Sequence, residues 1–300
     1  MKKAFLLLLF SISINGFSQA QEWMTSLDIA KRLALIQNKM IFAVWEDVTL
    51  DAYPVLVYDN KGNLIIVNLF SNESLNELIW EYFVPVIINE SSYPDLFNEV
   101  KGKRKESYIL KFNDDSIKIM DVNGNIINTN MNNGNNKLLN ISSFITEYSL
   151  NTSFLKPNLI SYSTEKNFMT SYYLASKYID FSSFTDKNIR SEIIELSNIY
   201  LDEANSLIES DDSKNKMISA QAIELLRIKQ SLYLNKPKKV IRQLRKMNDS
   251  EIHQTNQLLF NFLHYTAFEL LKDEKNAALW KNKVSIVDLK KSKLIINNNL

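Results

Sequence analysis

The sequence predicts an α/β domain followed by an all-α one, and three observations carry that reading. Gly62, Gly102, Gly124, Gly134, Pro54, Pro85 and Pro94 all precede residue 135, while beyond it only Pro157 and Pro237 occur. Turn chemistry is therefore concentrated in the first half. There, short β-rich runs alternate with helical periods, the pattern of a central sheet flanked by helices. The second half repeats apolar residues at helical spacing and reads as helical hairpins. The polar stretch Asn130-Met131-Asn132-Asn133-Gly134-Asn135-Asn136 and a loop through Pro157 place the boundary near residue 155, dividing the chain into residues 21–150 and 151–300.

Taken in order, Leu27, Ala30, Leu33 and Ala34 share a helical face, with Thr25 or Ser26 available as a cap. Met40–Trp45 is a buried strand by composition. Two segments share one design: Val55–Ile66 and Ile117–Ile127 each place Asp and Gly three apart (Asp59 and Gly62, Asp121 and Gly124) between β-rich runs, as a hairpin needs where a residue takes positive φ. Between them, Leu75, Leu78, Ile79 and Tyr82 mark a helix, Phe83–Ile88 a strand, and Tyr93, Leu96, Phe97 and Val100 a short helix. A helix over Leu138–Ser149 closes the half.

Beyond it, Asp186 is available to cap a helix carrying Ile193, Leu196, Tyr200, Ala204 and Leu207 on one face. Ile218 to Tyr233 forms a longer helix, and Asn235-Lys236-Pro237 starts a short partner with Val240, Ile241, Leu244 and Met247. A second pair follows, with Leu259, Phe262, Leu263, Thr266 and Leu270, then Asp273 as a cap before Ala277, Ala278, Trp280 and Val284.

Composition excludes much chemistry. Three hundred residues with 45% hydrophobic content suffice for two cores. The 35 Lys and Arg against 34 Asp and Glu leave no positive excess to hold nucleic acid. Cysteine is absent, which removes disulfides, thiol catalysis and Cys-ligated metal centres. The two histidines, His253 and His264, stand eleven residues apart on one helix, or ~16 Å, too far to share a metal. Both read as surface or capping residues. No glycine-rich phosphate cradle, dinucleotide fingerprint or Gly-x-Ser-x-Gly elbow occurs, and no cofactor or metal site is expected. The basic runs Lys101–Lys105 and Lys236–Lys239 read as solvated faces.

The N-terminus points outward. Met1-Lys2-Lys3 leads into the short apolar run Ala4–Ile14, and Ser18-Gln19-Ala20 supplies small residues flanking a spacer, the pattern of a signal peptide spanning residues 1–20. Its cleavage would change 35 − 34 = +1 into 33 − 34 = −1. The run is shorter than the ~20 residues a bilayer span needs, and no membrane span is expected in the mature chain. A cysteine-free exported protein fits bacterial export, to the periplasm or beyond the cell, better than eukaryotic secretion. The sequons at Asn72, Asn89, Asn140, Asn151 and Asn248 then read as chance matches in an Asn-rich chain.

Trp23-x-x-Ser26-x-x-x-Ala30-x-x-x-Ala34, then Asn38-Lys39 and the strand ending in Trp45, resembles the opening of exported thioredoxin-like domains of Bacteroidetes. The resemblance covers about residues 22–150 and implies their fold. Their Trp-Cys-x-x-Cys motif is missing: with Trp45 matched, Glu46 and Thr49 stand at the cysteine positions. Neither can exchange a disulfide. The cis-proline of that family is likewise replaced, by Asp115 or Ser116, and Asp51–Phe70 inserts a hairpin where the redox helix would begin. In the second half, Asn235, Val240, Leu244 and Met247, echoed by Asp273 and Ala278 about 38 residues later, resemble a tetratricopeptide repeat, which implies a concave surface for a protein segment.

Two groups remain as candidates. Asp114-Asp115 with Asp121, or Glu46-Asp47 with Asp51, are the carboxylates a hydrolase would use, but they read as turn and capping residues. The Asp/Asn clusters around Asp59 and Asp121 lack the distant Glu of a twelve-residue calcium loop. Aromatics crowd the junction: Tyr162, Phe168, Tyr172, Tyr173, Tyr178, Phe181 and Phe184. They form either an inter-domain core or, for Tyr172, Tyr173, Tyr178, Phe181 and Phe184, an interaction surface. The expectation is a non-catalytic exported envelope protein acting through protein contact with unidentified envelope partners. A chaperone-like accessory to envelope folding and a carboxylate hydrolase are the alternatives.

Overall fold

The computed structural model describes residues 21–129, 138–208 and 213–299. The signal-peptide reading and the polar run at 130–136 lie outside the described residues. Among the described residues, thirteen helices longer than one turn and five strands follow one another. The first half contains α1 (Leu27–Gln37), β1 (Met40–Trp45), β2 (Pro54–Tyr58), β3 (Leu64–Asn68), α2 (Glu73–Tyr82), β4 (Phe83–Ile88), α3 (Tyr93–Val100), α4 (Glu106–Asn113), β5 (Lys118–Met120) and α5 (Ile141–Tyr148). The second contains α6 (Lys156–Thr164), α7 (Phe168–Phe181), α8 (Arg190–Leu207), α9 (Ser213–Tyr233), α10 (Pro237–Leu244), α11 (Gln254–Leu270), α12 (Glu274–Lys281) and α13 (Ile286–Asn299).

A three-stranded mixed sheet in the order β4-β1-β5 organises the first half. β1 runs parallel to β4, with Met40 opposite Phe83, and antiparallel to β5, with Phe42 opposite Ile119. Single bridges extend the sheet at both edges, from Met24 to Val86 and from Met120 to Ile126. All six β1 residues are buried, as a strand covered on both faces requires. Side chains three apart on a strand face opposite ways. Phe42 accordingly meets Phe144 of α5 at 6.3 Å, while Trp45 meets Phe112 of α4 at 5.3 Å.

The β2–β3 hairpin forms as expected, but the second expected hairpin shrinks to β5 and the Ile126 bridge. Both turns keep their design, with Gly62 at φ 79° and Gly124 at φ 85°. One element escaped the sequence reading: α4 follows the basic run Lys101–Lys105, its two buried aromatics, Tyr108 and Phe112, being too few to mark a period. The closing helix is capped by Asn140, whose side chain accepts from the Ser143 amide.

No open linker marks residue 155. Leu155 is fully buried, and the Thr152 amide donates to the Asn38 carbonyl at 3.0 Å. α8 begins at Arg190 without a side-chain cap; Asp186 instead accepts from the Asn188 amide in the preceding turn. Further on, two helix pairs repeat in detail. Positive φ recurs at Asn235 and Lys272, a shift of 37 residues. The Lys236-to-Ser231, Val240-to-Lys236 and Met247-to-Leu244 backbone bonds recur from Asp273 to Phe268, Ala277 to Asp273 and Val284 to Lys281. The small buried residue matching Val240 is Ala277; Ala278 is exposed, so the sequence register was one residue long.

Candidate functional site

Trp45, Glu46 and Thr49, the positions singled out by the resemblance, lie at and just beyond the C-terminal end of β1. Trp45 is buried, and its indole N–H donates to the Phe112 carbonyl at 2.8 Å. Glu46 and Thr49 form one turn of 3₁₀ helix, in which the Thr49 hydroxyl donates to the Glu46 carbonyl at 2.8 Å. The Glu46 carboxylate accepts from the Asn89 side-chain amide at 2.5 Å. On the facing loop Asp115 is exposed, and Ser116 donates to the Asp114 carboxylate at 2.5 Å. No cis peptide occurs among the described residues.

A residue that the sequence reading passed over fills this corner. Lys118 of β5 is fully buried; its ammonium donates to the Asp114 carbonyl at 2.5 Å and the Ser116 carbonyl at 2.9 Å, and lies 3.4 Å from the Asp114 carboxylate. It stands 5.9 Å from the Trp45 ring centre. Burial pushes its pKa down to about 8 against the pull of Asp114. Tyr53, at the entry to the hairpin, faces the same loop; burial and then the Asp114 carboxylate push its hydroxyl pKa up. The corner is a hydrogen-bonded junction filled from beneath by the Lys118 side chain.

Asp114 and Asp121 do not form a pair: they stand at opposite ends of β5, and Asp121 is buried in a network joining the two halves. Its Oδ1 accepts from the Asn123 and Asn125 amides at 3.0 and 2.9 Å. Its Oδ2 accepts from the hydroxyl of Tyr178 at 3.1 Å and from that of Tyr200. The Tyr200 oxygen in turn accepts from the Asn123 and Asn125 side chains at 2.8 and 3.1 Å. Burial raises the Asp121 pKa despite these donors. Tyr148 adds a second link, donating to buried Glu192 of α8 at 2.7 Å.

The junction aromatics thus divide. Tyr162, Tyr178 and Phe181 are interior, so Tyr178 and Phe181 present no surface; Tyr172 is half-buried, and Tyr173 and Phe184 are exposed. Phe184 stands 5.4 Å from Phe154, which is also exposed. Tyr200, beneath the network, was read from sequence only as one more apolar helix position. His253 caps α11 by accepting from the Thr255 amide. His264 is not a surface residue: it is buried and stacked on Trp280 at 4.0 Å, and burial holds its pKa down at about 4.

Beside the seam lies a cavity of about 740 Å³ lined by Lys31, Arg104, Tyr108, Asn123, Tyr162 and Glu203 among others. Arg104 donates to the Asn125 side chain at 3.3 Å, while its buried Nε has no partner. Among the described residues no group of three or more His, Asp or Glu side chains is placed to hold a metal ion, and no helix is long and apolar enough to cross a membrane. Comparison with known proteins found no matching family, curated relative or solved structure.

Proposed function

We propose that this chain is an exported, non-catalytic envelope protein acting by protein–protein contact, a redox-inactive thioredoxin-like half joined to tetratricopeptide-like hairpins. The sheet order supports the first assignment: Met24, β4, β1, β5 and Ile126 follow one another, the first three parallel and the last two pairings antiparallel. The 37-residue recurrence supports the second. The observation that carries the functional reading is the plugged corner. A thiol chemistry needs an accessible sulfur at a helix N-terminus; here Trp45 is buried, Glu46 and Thr49 close a single turn, and Lys118 fills the space beneath.

The test uses the protein as bait in native envelope extract. One or two stoichiometric partners are expected, with recovery reduced by Phe184→Ala, which removes the more exposed ring of the Phe154–Phe184 pair. Suppressed aggregation of unrelated unfolded clients would instead mark the chaperone-like accessory. Reduction of insulin by the purified protein would sink both.

A further inference from the structure

Among the described residues, the β2–β3 hairpin leaves one backbone edge without a strand partner. The Leu69 amide donates to the Tyr53 carbonyl and the Asp59 amide to the Asn63 carbonyl, both at 2.9 Å. In an antiparallel pair hydrogen-bonded positions alternate, so the bonded pairs within the hairpin are Val55 with Val67 and Val57 with Ile65. Leu56 and Tyr58 accordingly turn their amides the other way, toward the Leu139 carbonyl at 2.8 Å and the Ser142 hydroxyl at 3.2 Å. By the same alternation Leu64, Ile66 and Asn68 aim both backbone groups off the outer side of β3, where no described strand lies.

The β3 side chains near that edge are apolar and open to solvent, Leu64 being 47% exposed, Ile65 41% and Ile66 63%, with Tyr58 of β2, 54% exposed, opposite Leu64. A half-buried strand normally turns polar residues outward. Exposed edges are normally blunted by charge, proline or a bulge; Leu64–Phe70 contains no charged residue and no proline, and the register runs unbroken from Pro54–Asn68 to Tyr58–Leu64.

We propose that this edge is a homodimer contact in which β3 pairs antiparallel with β3 of a second copy about a two-fold axis at Ile66. The outward groups recur at 64, 66 and 68, symmetrically about 66, so the strand is its own complement. Ile66 meets Ile66 of the partner subunit, and Leu64 meets Asn68 of the partner subunit, each as a hydrogen-bonded pair. Two hairpins become one four-stranded sheet with Leu56 and Ile66 continuing across it. Self-pairing sets Ile66 on its own copy, Ile65 on Val67 of the partner subunit and Leu64 on Asn68 of the partner subunit, so no like charges are opposed anywhere along the seam.

Sedimentation of the purified protein across a concentration series is expected to show a species of twice the monomer mass. Ile66→Lys sets two ammonium groups face to face and should raise the dimer dissociation constant by at least about tenfold. Its thermal midpoint should hold, because the side chain is already exposed. The cysteine-free chain allows a second readout. Ile66→Cys should cross-link on oxidation, since Cα atoms of a hydrogen-bonded pair lie ~5.5 Å apart, within disulfide reach. Ile36→Cys, exposed on α1, should not. The proposal is overturned if Ile66→Cys cross-links no faster than Ile36→Cys, or if a dimer survives Ile66→Lys unchanged. It is equally overturned if the chain stays monomeric and the edge instead takes an extended apolar peptide, with that binding lost in Ile66→Lys.

Discussion

Two turns of this protein share a sequence design and almost all of their local geometry, yet differ in what they do. In Asp59–Asn63 the carboxylate accepts from the Lys61 and Asn63 amides, both at 2.8 Å; in Asp121–Asn125 the corresponding distances, from Asn123 and Asn125, are 3.0 and 2.9 Å. Each turn closes with the Gly amide donating to the Asp carbonyl, at 2.9 and 3.0 Å. The first is solvated, and its hydrogen bonds hold the Asp59 pKa below the usual carboxylate value. The second is sealed under Tyr178 and Tyr200, and burial raises the Asp121 pKa. Local sequence sets the turn; the helices packed over it decide whether it is a surface loop or the bolt between two halves.

The largest expected effect breaks that comparison at Asp121. Asp121→Ala strands two buried tyrosine hydroxyls and two backbone amides, and should cost about 3–5 kcal/mol of unfolding free energy. Asp59→Ala removes the same local bonds where water replaces them, and should move the urea midpoint far less. Equal shifts in the two variants would show that the seam is held by apolar packing alone. Tyr200→Phe should fall between them.

A third carboxylate sharpens the contrast. Asp180 of α7 opposes burial with two ammonium groups, Lys229 of α9 at 2.7 Å and Lys291 of α13 at 3.0 Å, and with the Tyr233 hydroxyl at 2.5 Å. Burial raises its pKa, but the lysines outweigh burial and hold it at about 2, below the ordinary 3.8. A depressed carboxylate stabilises above its unfolded pKa and loses that contribution as the pH falls through the folded value. Asp180→Asn should therefore cost about 2–3 kcal/mol at neutral pH, and the difference from the parent should shrink between pH 4 and 2. Unfolding midpoints across that window check it. Asp121 shifts the other way because burial outweighs its hydrogen-bond donors and, among the described residues, it makes no ion pair.

These contrasts also mark what the sequence could disclose. Strands β1 and β4, the Gly62 and Gly124 turns and the helical second half were legible, since each rests on composition or spacing within a short window. Neither Lys118 nor Tyr200 was, because each matters through partners far along the chain: Tyr200 lies 79 residues from Asp121. Lys118 lies within the β-rich run Ile117–Ile127, and nothing local says that its ammonium would be enclosed by the Asp114 and Ser116 carbonyls. A usable signal existed in the twin turns, whose second copy sits ahead of a junction rich in tyrosine. The 37-residue recurrence was blurred by a one-residue error at Ala277, which only burial resolves.

A smaller effect tests whether the turns are locally equivalent. Gly62→Ala and Gly124→Ala each force a Cβ into the left-handed region, at a cost of about 1–2 kcal/mol. At Gly62 the new atom would meet nothing within 4 Å; at Gly124 it would come within 2.7 Å of the Lys31 Cε, which ends a flexible side chain and can move. The two midpoints should thus fall by similar amounts, Gly124→Ala slightly further. A loss confined to Gly124→Ala would mean that crowding by Lys31, and not backbone geometry, requires glycine.

The smallest effect is read against pH, and its value lies in its sign. Asn can accept the same turn amides as Asp, so Asp59→Asn and Asp121→Asn remove charge while keeping an acceptor in place. Lowered in the folded state, the Asp59 carboxylate favours the native chain above the ordinary carboxyl range. The parent's advantage over Asp59→Asn should fade as the pH drops through the lowered folded value. Raised in the folded state, Asp121 makes the native chain the better proton binder. The parent should therefore gain on Asp121→Asn as the pH falls through the raised value toward the unfolded 3.8. Midpoint differences measured from neutral to acid should diverge in opposite directions for two substitutions in the same motif. If both fade together, the Asp121 carboxylate is not desolvated, and Tyr178 and Tyr200 do not seal the seam.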